Sequence, residues 1–524
     1  MTGPDDALLG RLMLAFQGTS VPAWLRARLG DAPAAGVTLF RATNVRSPAQ
    51  VRRLTMGLQA AAATRPLLIA ADQEGGQLLG LGDGWTPFAG PMAIGATGDA
   101  GLAERVGRAI GLEMRAVGVN VNYAPVLDVT TASSNLASGI RSFGDDPAAV
   151  ARLGSAWLRG LQSAGVAATL KHFPGAGGTT ADTHYELAVV EDDRAQLDAS
   201  DLRPFKAAIE AGARMVMSGH FASPALTGSR SVPSTLAPEV MEHLLRDELG
   251  FAGVSITDAL DMRALAQDGA QAVDVIAAIR AGVDLLLGTS DRRALRRIES
   301  TLVRAAQLRI FDADALARSA ARLKELRAWS AGFAQPDLDV VGSAEHLALA
   351  RQLAERSLTL VRDDGLLPVR LPASARVVAI MPAPSDLTPA DTSSFVAPAL
   401  AGAIRAHHPN VDEVVTASPP TATEIAAVRT QAANADLIVV GTIAATPGSP
   451  QADLVEALLA TGRPVVTVAL RTPWDLAAYP RATTHICTYS ILPESMDALA
   501  AAIFGRAGRD AWFPGRLPVG QAGA

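Results

Sequence analysis

The chain has 524 residues, 49% of them hydrophobic and 4% aromatic, with a formal net charge of −6. That length predicts two or more domains, with aliphatic cores. The mixed, mildly acidic charge gives no electrostatic case for binding nucleic acid or an anionic membrane. A single cysteine, Cys487 in the apolar stretch HICTY, excludes an internal disulfide framework and a cysteine-based metal site, and reads as a small buried side chain.

The N-terminal stretch MTGPDDALLGRLMLAF begins acidic and its apolar run is broken by Arg11, unlike a signal peptide. No run approaches the roughly 20 apolar residues a membrane span requires. A cytoplasmic protein without a membrane span is the expectation.

Short Val/Ile/Leu-rich runs follow in order: LMLAF (12–16), GVTLF (36–40), PLLIAAD (66–72), VNVNYAPVLD (119–128), VAATLKHF (166–173), RMVMSGH (214–220), GVSITDA (253–259) and VDLLLG (283–288). Amphipathic segments such as 102–118 and 238–250, each closed by a glycine, separate them. Continuous apolar strands alternating with helices predict a parallel sheet with helices outside. Eight such units within about 290 residues predict a (β/α)8 barrel. Residues 328–345 carry Gly, Pro and Ser and read as a linker. A second alternation follows at 377–381, 411–417, 436–442, 464–470 and 485–489. It predicts a smaller parallel sheet with helices on both faces, an α/β/α sandwich. The expected division is barrel 1–327, linker 328–345 and sandwich 346–524.

Polar residues gather where the first-half strands end: Asp72 and Glu74, Asp128, Lys171 and His172, His220, and Asp258. In a barrel these ends form one face, and that face holds the active site. The stretch KHFPGAGGTTADTHYE (171–186) is the richest in titratable groups. Lys171 and His172 end the fifth strand. Asp182 and His184 follow on a Gly/Thr-rich loop, two residues apart, so an extended backbone puts both on one side. An Asp within reach of an imidazole fixes its tautomer and favours its protonated form, which suits proton transfer to a leaving group. The bland alternative is a polar turn with an exposed histidine.

Asp258, at the end of SITDALDM, could cap a helix, bind a metal or attack an electrophile. Neighbouring acids and histidines lack metal-ligand spacing, and a nucleophilic carboxylate is consistent with sugar transfer. Asp72 in ADQEGG can accept hydrogen bonds from neighbouring sugar hydroxyls, and Gly75 and Gly76 permit close backbone approach. Arg141 in GIRSFG offers several donors to a substrate oxygen or carboxylate.

Taken in order, DQEGG, APVLDV…RSFGDDP, KHFPGxG…DTH and SITDALDM resemble the family 3 glycoside hydrolases, and within them the β-N-acetylglucosaminidase branch. RSLTLVRDDGLLPV and FPGRLPV are similar to the sandwich domain that follows the barrel in many members. The resemblance implies Asp258 as nucleophile, His184 as general acid/base with Asp182 as its partner, Asp72 as holder of the sugar hydroxyls, and Arg141, Lys171 and His172 as further substrate contacts. It implies a small carbohydrate substrate, cell-wall fragments in many members, and no metal or organic cofactor. Four positions depart from the branch: Gln77 and Gly80 stand where basic residues are usual, Ala176 replaces a larger residue, and TDAL lacks a second Asp after the first. Rival readings are a phosphorylase, since a neutral His does not repel a phosphate dianion; a β-glucosidase or β-xylosidase; and a sugar-binding relative without catalysis.

Overall fold

The computed structural model describes residues 4–62, 66–131, 135, 138–176, 178–179, 183–505 and 512–520. Each of the eight expected first-half strands is present. They are β1 (Leu12–Leu14), β2 (Gly36–Thr38), β3 (Leu68–Ala71), β4 (Val121–Asn122), β5 (Ala167–Phe173), β6 (Met215–Ser218), β7 (Val254–Ala259) and β8 (Leu285–Leu287). All pair in parallel, and β1 closes the barrel against β8.

The strands read as continuous apolar runs because both of their faces are buried. Met13, Leu68, Val121, Met215, Ile256 and Leu285 point into one core inside the barrel. Their neighbours Leu12, Ile69, Ala168, Val216 and Leu286 join the core beneath the helices. This alternation is the period-two geometry of a strand covered on both sides. Two of the outer helices show how local sequence sets the frame. Asp99 caps α1 (Ala100–Ala116) through the Leu102 amide, and Leu102, Val106, Ile110 and Met114 recur at four-residue spacing on its buried face. Asp146 caps α2 (Pro147–Ser163), which has proline in its first turn, where a missing N–H costs nothing. Leu323 and Leu326 of α3 (Ala313–Ala331) plug the barrel's lower mouth by joining its interior core.

Residues 328–345 begin inside α3 and are laid against the barrel. Arg115 and Gln335 tie the segment to the end of α1. Buried Glu113 accepts from the Gly342 amide at 3.1 Å and lies 2.8 Å from Nδ1 of His346 on α4 (Ala344–Ser357).

The second sheet contains β9 (Thr359–Asp363), β10 (Val377–Pro382), β11 (Val411–Thr416), β12 (Leu437–Thr442), β13 (Val465–Ala469) and β14 (Thr484–Cys487), in the order β9-β14-β13-β12-β10-β11. Alternate residues feed two cores on opposite faces, Val377 and Ala379 into one, Val378 and Ile380 into the other. Five strands run parallel as expected; β9 corrects the all-parallel reading, since it pairs antiparallel with β14 at the edge. An edge strand with a solvated side carries charges, here Arg362 and Asp363, which break up its apolar run.

Candidate active site

The barrel's C-terminal face opens into a cavity of about 320 Å³. Among its lining residues are Asp72, Arg141, Lys171, His172, His184 and Asp258, together with Tyr123 and Met217. Six of the seven expected site residues therefore line one cavity, although up to 186 positions separate them in sequence. The seventh, Asp182, lies outside the described residues.

Lys171 is the hub. Its ammonium lies 2.7 Å from Asp72 Oδ1 and 2.7 Å from Glu74 Oε1. Arg141 donates twice to Glu74, Nε to Oε2 at 2.9 Å and Nη2 to Oε1 at 2.8 Å. Glu74, absent from the expected site set, is thus the buried counter-ion of two cations. Burial pushes its carboxyl up, but Arg141 and Lys171 outweigh that and hold it at about 2. Burial works against the Lys171 cation, and Asp72 and Glu74 reverse this, raising it above the ordinary lysine range. The result is a permanently charged lattice that orients Asp72, whose side chain is 24% exposed toward the cavity.

His172 is set by a second buried carboxylate. Asp128 Oδ2 lies 2.7 Å from its Nδ1, and Asp128 Oδ1 accepts from the His172 and Ala176 amides at 3.2 and 3.1 Å. Burial raises the Asp128 carboxyl, and His172 with these amides more than offsets it. A short Nδ1 contact leaves Nε2 as the ring's other hydrogen-bonding atom. Ala176 contributes through its backbone: its carbonyl accepts from Thr179 and Asn135 and its amide donates to Asp128.

Asp258 ends β7. Its Oδ1 accepts from the Ala259 amide at 2.7 Å. Burial pushes its carboxyl up, while His172, His220 and His184 pull harder and leave it below the ordinary aspartate range. It is therefore an anion at neutral pH. His220, also absent from the expected set, is fully buried beneath it, with Nε2 3.2 Å from the Ala259 carbonyl and Nδ1 2.8 Å from Thr235 Oγ1. Burial depresses its protonation, so Nε2–H donates to the carbonyl and Nδ1 accepts from the threonine. It braces the segment bearing Asp258. His184 sits on a half-buried turn whose carbonyl accepts from Arg263 in the loop after β7 at 3.3 Å.

Gly75 and Gly76 make their close approach to the chain's own segment 88–90: the Gly76 amide donates to the Phe88 carbonyl at 2.7 Å. Gly80 is explained by space, since a Cβ there would come within 2.4 Å of the Asp72 carbonyl. Gln77 faces the second sheet. Its Oε1 accepts from Arg471, its amide donates to the Ala390 carbonyl at 3.3 Å, and its own carbonyl accepts from the Thr392 amide at 2.8 Å. Arg471 also pairs with buried Asp391 at 2.7 Å. This latch brings Asp386, Ala390, Thr392 and Phe395 of the loop after β10 to the cavity wall. Sequence reasoning had no signal for that loop. Glu74, Asp128 and His220 did carry one: each stands at or near the end of an apolar strand.

Comparison with known proteins agrees with this architecture. The model described as glycosyl hydrolase family 3 N terminal domain matches residues 19–325. A beta-hexosaminidase A of Pseudoalteromonas piscicida is 37% identical over 382 residues, covering 67% of this chain and 63% of its own, so the chain spans less than two thirds of that relative. A beta-N-acetylglucosaminidase/beta-glucosidase of Cellulomonas fimi is 30% identical over 546 residues, 98% of this chain and 93% of its own. The solved structure of a glycoside hydrolase family 3 beta-N-acetylglucosaminidase from Paenibacillus sp. str. FPU-7 superposes with a TM-score of 0.92 at 33% identity, covering 99% of each chain. By family model, by full-length relative and by fold, the chain belongs to glycoside hydrolase family 3.

Proposed function

We propose that the chain is a retaining β-N-acetylglucosaminidase that removes terminal N-acetylglucosamine from glycosides. The observation that carries this reading is the shared cavity: an anionic Asp258, His184, and the charged lattice that presents Asp72 all line it. The names of the Pseudoalteromonas, Cellulomonas and Paenibacillus relatives support the sugar assignment.

In the first step Asp258 attacks the anomeric carbon. Oδ1 is engaged by the Ala259 amide, so Oδ2 forms the new C–O bond. His184, protonated and partnered by Asp182, gives its proton to the glycosidic oxygen as that bond breaks. The leaving group departs as a neutral alcohol and the sugar remains as an ester of Asp258. In the second step neutral His184 takes a proton from water, the hydroxide oxygen attacks the anomeric carbon, and Asp258 leaves as carboxylate. Two inversions retain the configuration. Asp72, held by Lys171, accepts from the sugar hydroxyls, and Arg141 and His172 complete the cradle. No metal or organic cofactor enters these steps. Cell-wall fragments are one candidate class of substrate.

Release of nitrophenolate from an aryl N-acetyl-β-glucosaminide tests this. Wild-type protein turns it over, and Asp258→Ala loses at least about a thousandfold in kcat, as expected when a nucleophile is removed. Near-wild-type turnover by that variant would sink the assignment. The Cellulomonas relative, whose name includes beta-glucosidase and which matches 98% of this chain, favours a second reading in which β-glucosides are also cleaved; the matching aryl glucoside tests it in the same assay.

A further inference from the structure

Among the described residues, the three most exposed Phe, Tyr or Trp side chains are Phe40 (38%), Tyr185 (61%) and Phe395 (49%). In a chain so poor in aromatics they are not scattered. Phe40 follows β2 and Phe395 lies on the second-sheet loop, and both line the cavity; Tyr185 follows His184. The Arg41 guanidinium sits 4.5 Å over the Phe395 ring, which ties this side chain to the barrel through a cation–π contact. Exposed aromatics held in place at a sugar site offer flat faces to the C–H side of a pyranose ring.

Charge at this mouth is equally selective. Each cation lining the cavity already faces a carboxylate: Arg41 holds Asp83 at 2.8 Å, Arg141 holds Glu74, and Lys171 holds Asp72 and Glu74. Arg471, behind the wall, is taken by Asp391 and Gln77. Asp386, beside Phe395 on the cavity wall, accepts from Ser394 at 2.8 and 2.7 Å and has no ion pair within 4 Å among the described residues. Gln77, on the barrel side of this wall, is consumed by the latch.

Given the N-acetylglucosaminidase reading, on which this depends, we propose that Phe40, Phe395 and Asp386 form a leaving-group subsite, built from both sheets, that takes an uncharged sugar ring and disfavours one bearing a carboxylate. The aromatic faces stack on the second ring of a disaccharide. Asp386 accepts from its hydroxyl or amide groups and repels an acid group such as the lactyl carboxylate of a muramic acid.

The test uses the full chain with three substrates: methyl N-acetyl-β-glucosaminide, which has no second ring; N,N′-diacetylchitobiose, whose second ring is neutral; and N-acetylglucosamine β-1,4-linked to N-acetylmuramic acid. At pH 7 the wild type shows a kcat/KM for the neutral disaccharide roughly tenfold or more above that for the acidic one, from like-charge repulsion across the mouth. Asp386→Asn narrows that gap. Phe395→Ala raises KM for chitobiose about 3- to 10-fold, the scale of an aromatic stacking contact, and raises it more than for the methyl glycoside. A wild type that prefers the acidic disaccharide, or equal effects of Phe395→Ala on the methyl glycoside and chitobiose, would overturn the subsite. Failure of the wild type to release N-acetylglucosamine from all three would instead overturn the glycosidase reading beneath it.

Discussion

Replacing Glu74 by Gln isolates the charge of the buried carboxylate behind Lys171 and Arg141. Glu74 accepts two hydrogen bonds from Arg141 and contacts the Lys171 ammonium, all at 2.7–2.9 Å and out of contact with solvent. The amide keeps the shape but turns one oxygen into a donor aimed at a cation. Lys171 then keeps Asp72 as a counter-ion, while Arg141 loses the carboxylate that accepts both of its hydrogen bonds. Breaking a buried ion pair from one side costs about 3–5 kcal/mol. For a chain of this size that is a fall in Tm on the order of 3–5 °C. The loss also has a pH signature. The carboxyl titrates at about 2 in the folded chain against an ordinary 4.5. A folded pKa below the unfolded one contributes stability that is complete above the unfolded value and lost as pH falls below it toward the folded one. Melting curves of wild type and Glu74→Gln between pH 7 and pH 3, followed by near-UV circular dichroism, therefore converge as the solution is acidified below about pH 4.5. A Tm for Glu74→Gln within 1 °C of wild type at pH 7, or two curves that stay parallel into acid, would refute the counter-ion role.

Four further outcomes follow from the geometry. His184→Ala loses far more turnover on alkyl glycosides, which need a proton on departure, than on nitrophenyl glycosides, which do not; a comparison of kcat/KM across leaving groups reads this, and equal losses would count against the acid role. Gly80→Ala forces a methyl to within 2.4 Å of the Asp72 carbonyl, displaces Asp72, and raises KM about tenfold or more, as expected for a misplaced binding group; an unchanged KM would count against Asp72 as the holder of the sugar. Arg471→Met leaves buried Asp391 without its cation, at a cost of about 3–5 kcal/mol; limited proteolysis should cut the 386–395 loop faster than in wild type, and unchanged cleavage would argue against the latch. Mass spectrometry of product made in phosphate buffer detects the free sugar for a hydrolase; sugar 1-phosphate as the main product would select the phosphorylase reading.

The barrel was legible because its strands are buried on both faces and so write unbroken apolar runs, from Leu12 to Leu287. The candidate site was legible for a related reason: a charge that ends such a run has to point at the barrel mouth. Asp72, Lys171, His172 and Asp258 all show this. Glu74, Asp128 and His220 obey the same rule, yet their work is to hold other side chains, and sequence does not separate a group that touches substrate from one that braces it. The edge strand β9 was hidden because Arg362 and Asp363 cut its apolar run to Leu360 and Val361. The approach of Phe395 and Asp386 to the cavity, more than 120 positions beyond Asp258, depends on tertiary packing that no local pattern encodes.

The latch at Gln77 has a consequence for recombination between relatives. Its side chain and carbonyl together hold Arg471, Ala390 and Thr392, so with Leu79, whose amide donates to Thr392, and Arg41 beneath Phe395 it positions the roof supplied by the second sheet. A chimera that joins this barrel to another member's second half keeps its reacting groups but inherits an unmatched roof. Residues 77, 391 and 471 therefore travel as one unit, and swapping them together with the loop at 386–395 is the smallest exchange expected to transplant leaving-group preference.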